Sequence, residues 1–144
     1  LKLIPAGTKG VIRGIKFNHM IKNKIMQFKL DETRFEISFE QMCKTHITHE
    51  IPDWYILEKE TNKIIIGMNQ LDLWSGGQQS NRGSKYLLDG TMNTDSQKLL
   101  CVVCNKITFK NTNTKAYKLF SVGYNNNTLC YLNGLRMIIM NFFG

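Results

Sequence analysis

Along residues 15–29 the apolar positions Phe17, Ile21, Ile25 and Phe28 recur three and four apart, with Met20 beside them. Lys16, Lys22, Lys24 and Lys29 fill the remaining surface. That spacing gathers the apolar side chains on one stripe, so the segment reads as an amphipathic basic helix. The period then drops to two. In RFEISFEQ, Phe35, Ile37 and Phe39 alternate with Glu36, Ser38 and Glu40, the pattern of a half-buried strand. DWYILEK and KIIIGMNQL are two further strand-like runs around ETNK, which predicts a hairpin with Thr61-Asn62 at its tip. KLLCVVCNKITF is almost continuously apolar and β-branched, as a strand covered on both faces is. SNRGSKYLLDG, ending at Gly90, and NTKAYKLFSVGY read as short helices, and YNNNT as a turn. TLCYLNGLRMIIMNFF is predicted to return as a last strand and pack on the core. Residues 1–14, broken by Pro5, Gly7, Gly10 and Gly14, read as irregular.

The order is therefore helix, a three-strand meander, helix, strand, helix. It predicts an α/β fold with a central sheet flanked by helices. The 144 residues, 42% of them hydrophobic, suit a single domain spanning 1–144 with a real core. The first residue is Leu rather than Met, which fits a fragment of a longer chain. No apolar run approaches the roughly 20 residues of a membrane span, and the N-terminal stretch lacks the form of a signal peptide.

Charge changes the picture next. The net +8 points to an anionic partner, nucleic acid ahead of a membrane surface, because the lysines and arginines come singly rather than in a polybasic run. A merely basic soluble protein is the plain alternative. Four cysteines are present: Cys43, Cys101, Cys104 and Cys130. Cys101 and Cys104 form a lone CxxC in a strand-like run, where side chains three apart point to opposite faces, so they read as reduced thiols rather than zinc ligands. Reduced cysteines favour an intracellular location, cytoplasmic or nucleoid-associated.

The hairpin allows a geometric test. With a two-residue turn at 61–62, Asp53 faces Gln70, Tyr55 faces Met68 and Ile51 faces Asp72. A one-residue slip brings Asn69 or Leu71 opposite Asp53 instead. A carboxylate and an amide oxygen on adjacent strands can hold a hard ion such as Mg²⁺, with Glu40, Glu50 or Asp72 as a third oxygen ligand. Such an ion lowers the pKa of bound water and offsets charge on a phosphodiester transition state. The plain alternative is that Asp53 caps a strand after Pro52.

These residues carry a resemblance. FE at 39–40, EIPDW at 50–54 and above all NQLDLWSGGQQSNRGSKYL at 69–87, with RGIKFN at 13–18 upstream, resemble type II restriction endonucleases of the PD-(D/E)XK nuclease superfamily. The element order over roughly residues 12–110 is similar too. The resemblance implies a PD-(D/E)XK nuclease-like core and Mg²⁺-dependent, site-specific hydrolysis of double-stranded DNA. It implies Asp53 as a metal ligand and Gln70 in the place of the Lys of the E-x-K element. Met68 stands where that element has its Glu. The second carboxylate is then Glu40 or Asp72, or the protein is a noncatalytic DNA-binding relative. A homodimer matches the twofold symmetry of palindromic sites.

The loop after the hairpin has its own chemistry. Gly76 and Gly77 permit close backbone approach. Gln78, Gln79 and Asn81 carry amides able to pair with adenine edges, Arg82 suits guanine or phosphate, and Lys85 suits phosphate. Otherwise this is a polar surface loop with Ser80 as a helix N-cap. His46 and His49 near Glu50 lack the HExxH arrangement of zinc hydrolases. Trp54 and Trp74 can stack on bases, but their apolar neighbours favour core packing.

Overall fold

The computed structural model describes residues 6–41, 51–70, 93–103, 113 and 115–144. Helix α1 runs Ala6–Gln27. Three strands follow, β1 (Phe35–Phe39), β2 (Trp54–Glu58) and β3 (Ile64–Gln70). Next come β4 (Gln97–Val103), helix α2 (Lys115–Asn125), β5 (Leu129–Tyr131) and helix α3 (Leu135–Phe143). The chain is α/β; the described strands form a five-stranded sheet in the order β1-β2-β3-β4-β5. β1, β2 and β3 form the antiparallel meander, whereas β3, β4 and β5 run parallel.

One face of the sheet meets α1 and α3. Phe17, Ile21 and Ile25 of α1 and Leu135, Ile139 and Phe143 of α3 pack on Phe35, Trp54, Ile56, Ile65, Leu100, Val102 and Cys130. The opposite face presents Tyr55, Ile64, Ile66, Met68 and Leu99, and beyond them Cys101, Val103 and Leu129, against which Phe120 of α2 packs. Burial on both faces explains why β4 carries no polar alternation from Leu99 to Val103.

Three sequence expectations need correction. The first helix starts at Ala6, so Gly7, Gly10 and Gly14 lie within it rather than in an irregular segment. Glycine costs a helix only about 1 kcal/mol, and propagation from the packed stretch Phe17–Ile25 carries the helix past it. The final segment is a strand for three residues only. After a 3₁₀ turn at Leu132–Gly134 it becomes α3, because Leu135, Ile139 and Phe143 are four apart and reach the core together. The hairpin register is shifted by two residues from the predicted one: Trp54 pairs with Gly67 and Tyr55 with Ile66, not Met68. The loop holds four residues, closed by the Glu58 N–H donating to the Lys63 carbonyl at 2.8 Å, with Asn62 left-handed at φ 60°. An even shift preserves faces, but it withdraws Gln70 from opposite Asp53. The predicted helix SNRGSKYLLDG lies outside the described residues.

The turn at 124–128 closes as a Schellman motif. The Thr128 N–H donates to the Gly123 carbonyl at 2.9 Å, the Asn127 N–H to the Tyr124 carbonyl at 3.4 Å, and Asn127 takes the left-handed conformation at φ 57°. This stop aims the chain from α2 straight into β5.

Candidate active site

Where β1 ends and β2 begins, the meander and α1 flank a partly open pocket of about 160 Å³ lined by Ile15, Asn18, His19, Lys22, Phe39, Glu40 and Asp53. Each part has a local cause. Asn18 and Lys22 stand one helical turn apart on the flank of α1 beside its buried stripe. Glu40 directly follows β1 and is left-handed at φ 54°, a conformation that costs a side-chain-bearing residue roughly 1–2 kcal/mol. Its N–H donates to the Asp53 carbonyl at 3.1 Å, which ties the two carboxylate-bearing residues together through the main chain.

Asp53 also bridges to β3. Its N–H donates to the Gly67 carbonyl at 3.1 Å, and its Oδ2 accepts the Asn69 N–H at 2.6 Å. The carboxylate thus takes the place of a main-chain carbonyl where the ladder ends. Asn69 is held in turn by its side chain: Trp54 Nε1 donates to its Oδ1 at 3.1 Å, and its Nδ2 donates to Asn18 Oδ1 at 3.0 Å. The Trp54 indole lies over Gly67. A Cβ there would stand 1.8 Å from Trp54 Cε2, so only glycine permits the approach. Trp54 is 1% exposed, a core side chain as its neighbours suggested, not a base-stacking surface.

Of the residues proposed from sequence, the fold brings Asp53 and Glu40 to one pocket. On β3 the Asn69 N–H donates to Asp53, and the side chain of Gln70 lies outside the described residues. Met68 is fully buried on the sheet face with Tyr55, Ile66 and Leu99, where it packs. Asp72, Gln78, Gln79, Asn81, Arg82 and Lys85 lie outside the described residues, as do Trp74, His46, His49 and Glu50. Sequence reasoning gave Asn18 and His19 no site role, and placed Lys22 among the helix lysines with DNA contact secondary to packing. Their signal was available: Asn18 and Lys22, four apart, flank the apolar stripe of α1.

Mg²⁺ is held by one or two carboxylates, its other positions being taken by water and phosphate oxygens. Glu40 and Asp53 match that donor set. Among the described residues no group of three His, Cys, Asp or Glu side chains converges on one point. The described cysteines belong to the core: Cys101 and Cys130 are both buried. Burial pushes the Cys130 thiol up to about 12, Lys98 opposing weakly, so this sulfur stays protonated and inert. Among the described residues no helix is long and apolar enough to cross a membrane. Comparison with protein-family models, curated proteins and solved structures gives no match.

Proposed function

We propose that this chain is a metal-dependent endonuclease that cuts double-stranded DNA at specific sites, built on a PD-(D/E)XK-like core. One observation carries the reading: Glu40 and Asp53, from opposite sides of the β1–β2 connection, line a single pocket against a basic helix. The +8 charge and the antiparallel meander continued by a parallel strand support it. Glu40 and Asp53 would hold the ion, and a bound Mg²⁺ would supply charge neutralisation and a more acidic water. Hydrolysis adds a water oxygen to phosphorus and breaks one P–O ester bond, leaving a phosphomonoester and a hydroxyl. The chain's part is to fix the carboxylates. Asn69 orients Asp53 by its N–H, and the left-handed turn at Glu40 directs the chain back to the Asp53 carbonyl. The polar loop at Gln78, Gln79, Asn81, Arg82 and Lys85 would read and hold DNA. A homodimer would address both strands.

Supercoiled plasmid with Mg²⁺ tests the reading. Wild type is expected to cut it, EDTA to stop the cutting, and Asp53→Ala to abolish cutting while salt-sensitive DNA binding persists. The burial of Met68, which offers no carboxylate, favours the second reading, a noncatalytic DNA-binding relative. Binding without cleavage under every divalent cation would select that one. Absence of DNA binding at low salt would sink both.

A further inference from the structure

The pocket presents a charge problem. It holds two carboxylates, and a phosphodiester brings another negative charge. A positive group from the protein beside any bound cation would favour a phosphate settling there. β3 brings none: at this end its Asn69 side chain is engaged by Trp54 and Asn18, and Met68 is buried on the sheet face. Among the described residues the pocket's ammonium comes from α1. Lys22 lines the same wall as Asn18 and His19, and its Nζ sits over the Phe39 ring, 5.2 Å from the centroid. Phe39 directly precedes Glu40, so the ring that attracts the ammonium is fixed to the carboxylate-bearing turn.

We propose that Lys22 is the phosphate-contacting cation of this pocket, its Nζ donating to a nonbridging oxygen of the DNA phosphodiester placed beside Asp53 and Glu40. The proposal rests on the phosphodiester reading of the site. It makes the basic helix part of the substrate site, not only a packed surface element. Phe39 limits the positions the flexible ammonium takes, so less freedom is lost when phosphate arrives.

The test measures duplex DNA binding against salt concentration in EDTA, and plasmid cleavage in Mg²⁺, for wild type, Lys22→Gln, Lys22→Arg and Lys59→Gln. Lys59 follows β2 at the far end of the sheet and serves as the control. One lost phosphate contact lowers the slope of log K against log salt by about one. Lys22→Gln is expected to show that loss, with cleavage down on the order of 100-fold. Lys22→Arg restores the slope and part of the cleavage, and Lys59→Gln matches wild type. An unchanged slope in Lys22→Gln overturns the proposal, as does an equal fall in Lys59→Gln. If wild type does not cut, the nuclease reading fails, and the binding slope still decides Lys22. If wild type cuts and Lys22→Gln keeps both slope and cleavage, the nuclease reading stands and the proposal falls.

Discussion

The two ends of the meander both carry acidic side chains, and they place them differently. At the hairpin end Glu58 is 7% exposed and surrounded by partners. Arg34 Nε donates to its Oε2 at 2.6 Å, the Thr61 hydroxyl donates to its Oε1, and Lys63 adds positive charge. The same two cations close the end of α3: Arg34 Nη2 donates to the Phe143 carbonyl at 3.3 Å, and Lys63 Nζ to the Phe142 carbonyl at 3.0 Å. This carboxylate joins β1, the hairpin and a helix C-terminus into one block. At the other end Glu40 and Asp53 line a pocket instead, and Glu40 holds a left-handed conformation that no turn residue such as Gly or Asn relieves. A carboxylate neutralised by a neighbouring guanidinium belongs to the architecture. Glu40 and Asp53, by contrast, are brought to one pocket at the cost of backbone strain at Glu40.

The largest expected effect separates chemistry from structure at the pocket end. Asp53→Asn keeps an oxygen to accept the Asn69 N–H, so its urea midpoint should stay near wild type while cleavage falls on the order of 10³-fold. A large loss of stability would make Asp53 a structural residue like Glu58. Next comes Gly67→Ala. The added carbon collides with the Trp54 indole, and the expected loss is about 3 kcal/mol or more by urea denaturation. A loss under about 1 kcal/mol would mean that the indole moves aside easily.

Arg34→Ala addresses the hairpin end. The Thr61 hydroxyl, and after it Arg34, hold the Glu58 carboxyl below its ordinary value of 4.5. Its contribution to stability is therefore full above about 4.5 and fades as pH falls through the lowered folded value. The variant should show a reduced urea midpoint at pH 7 and a smaller further drop by pH 3 than wild type shows. Equal acid sensitivity in the two proteins would detach Arg34 from Glu58. The smallest effect is expected of Glu40→Gly. Relief of the left-handed strain, set against the added freedom of the unfolded chain, leaves stability unchanged or raised by up to about 1 kcal/mol. Cleavage should fall nonetheless. A stability loss with full cleavage would reverse the contrast between the two ends.

The strands were legible because their patterns are local. RFEISFEQ alternates, and LLCVV, Leu99 to Val103, is apolar throughout where β4 is covered on both faces. The hairpin was legible as a hairpin but not in register, since a four-residue loop closed at Glu58 and Lys63 and a two-residue turn at Thr61-Asn62 suit the same sequence. That shift removed Gln70 from opposite Asp53 and put Asn69 within reach. The last helix was misread as a strand because LRMIIM suits either state, and only the four-residue spacing of Leu135, Ile139 and Phe143 separates them.

By itself the sequence determined the α/β class, the meander, the basic helix and the candidacy of Asp53 and Glu40, because periodicity and charge are properties of neighbouring positions. Tertiary structure decided which side chains meet. It joined Asn18 and Lys22, more than thirty residues before Asp53, to the same pocket, and it anchored Asn69 between Trp54 and α1. Such meetings depend on strand register and on where a helix crosses the sheet. Both are fixed by packing across the whole core, as the indole of Trp54 over Gly67 shows.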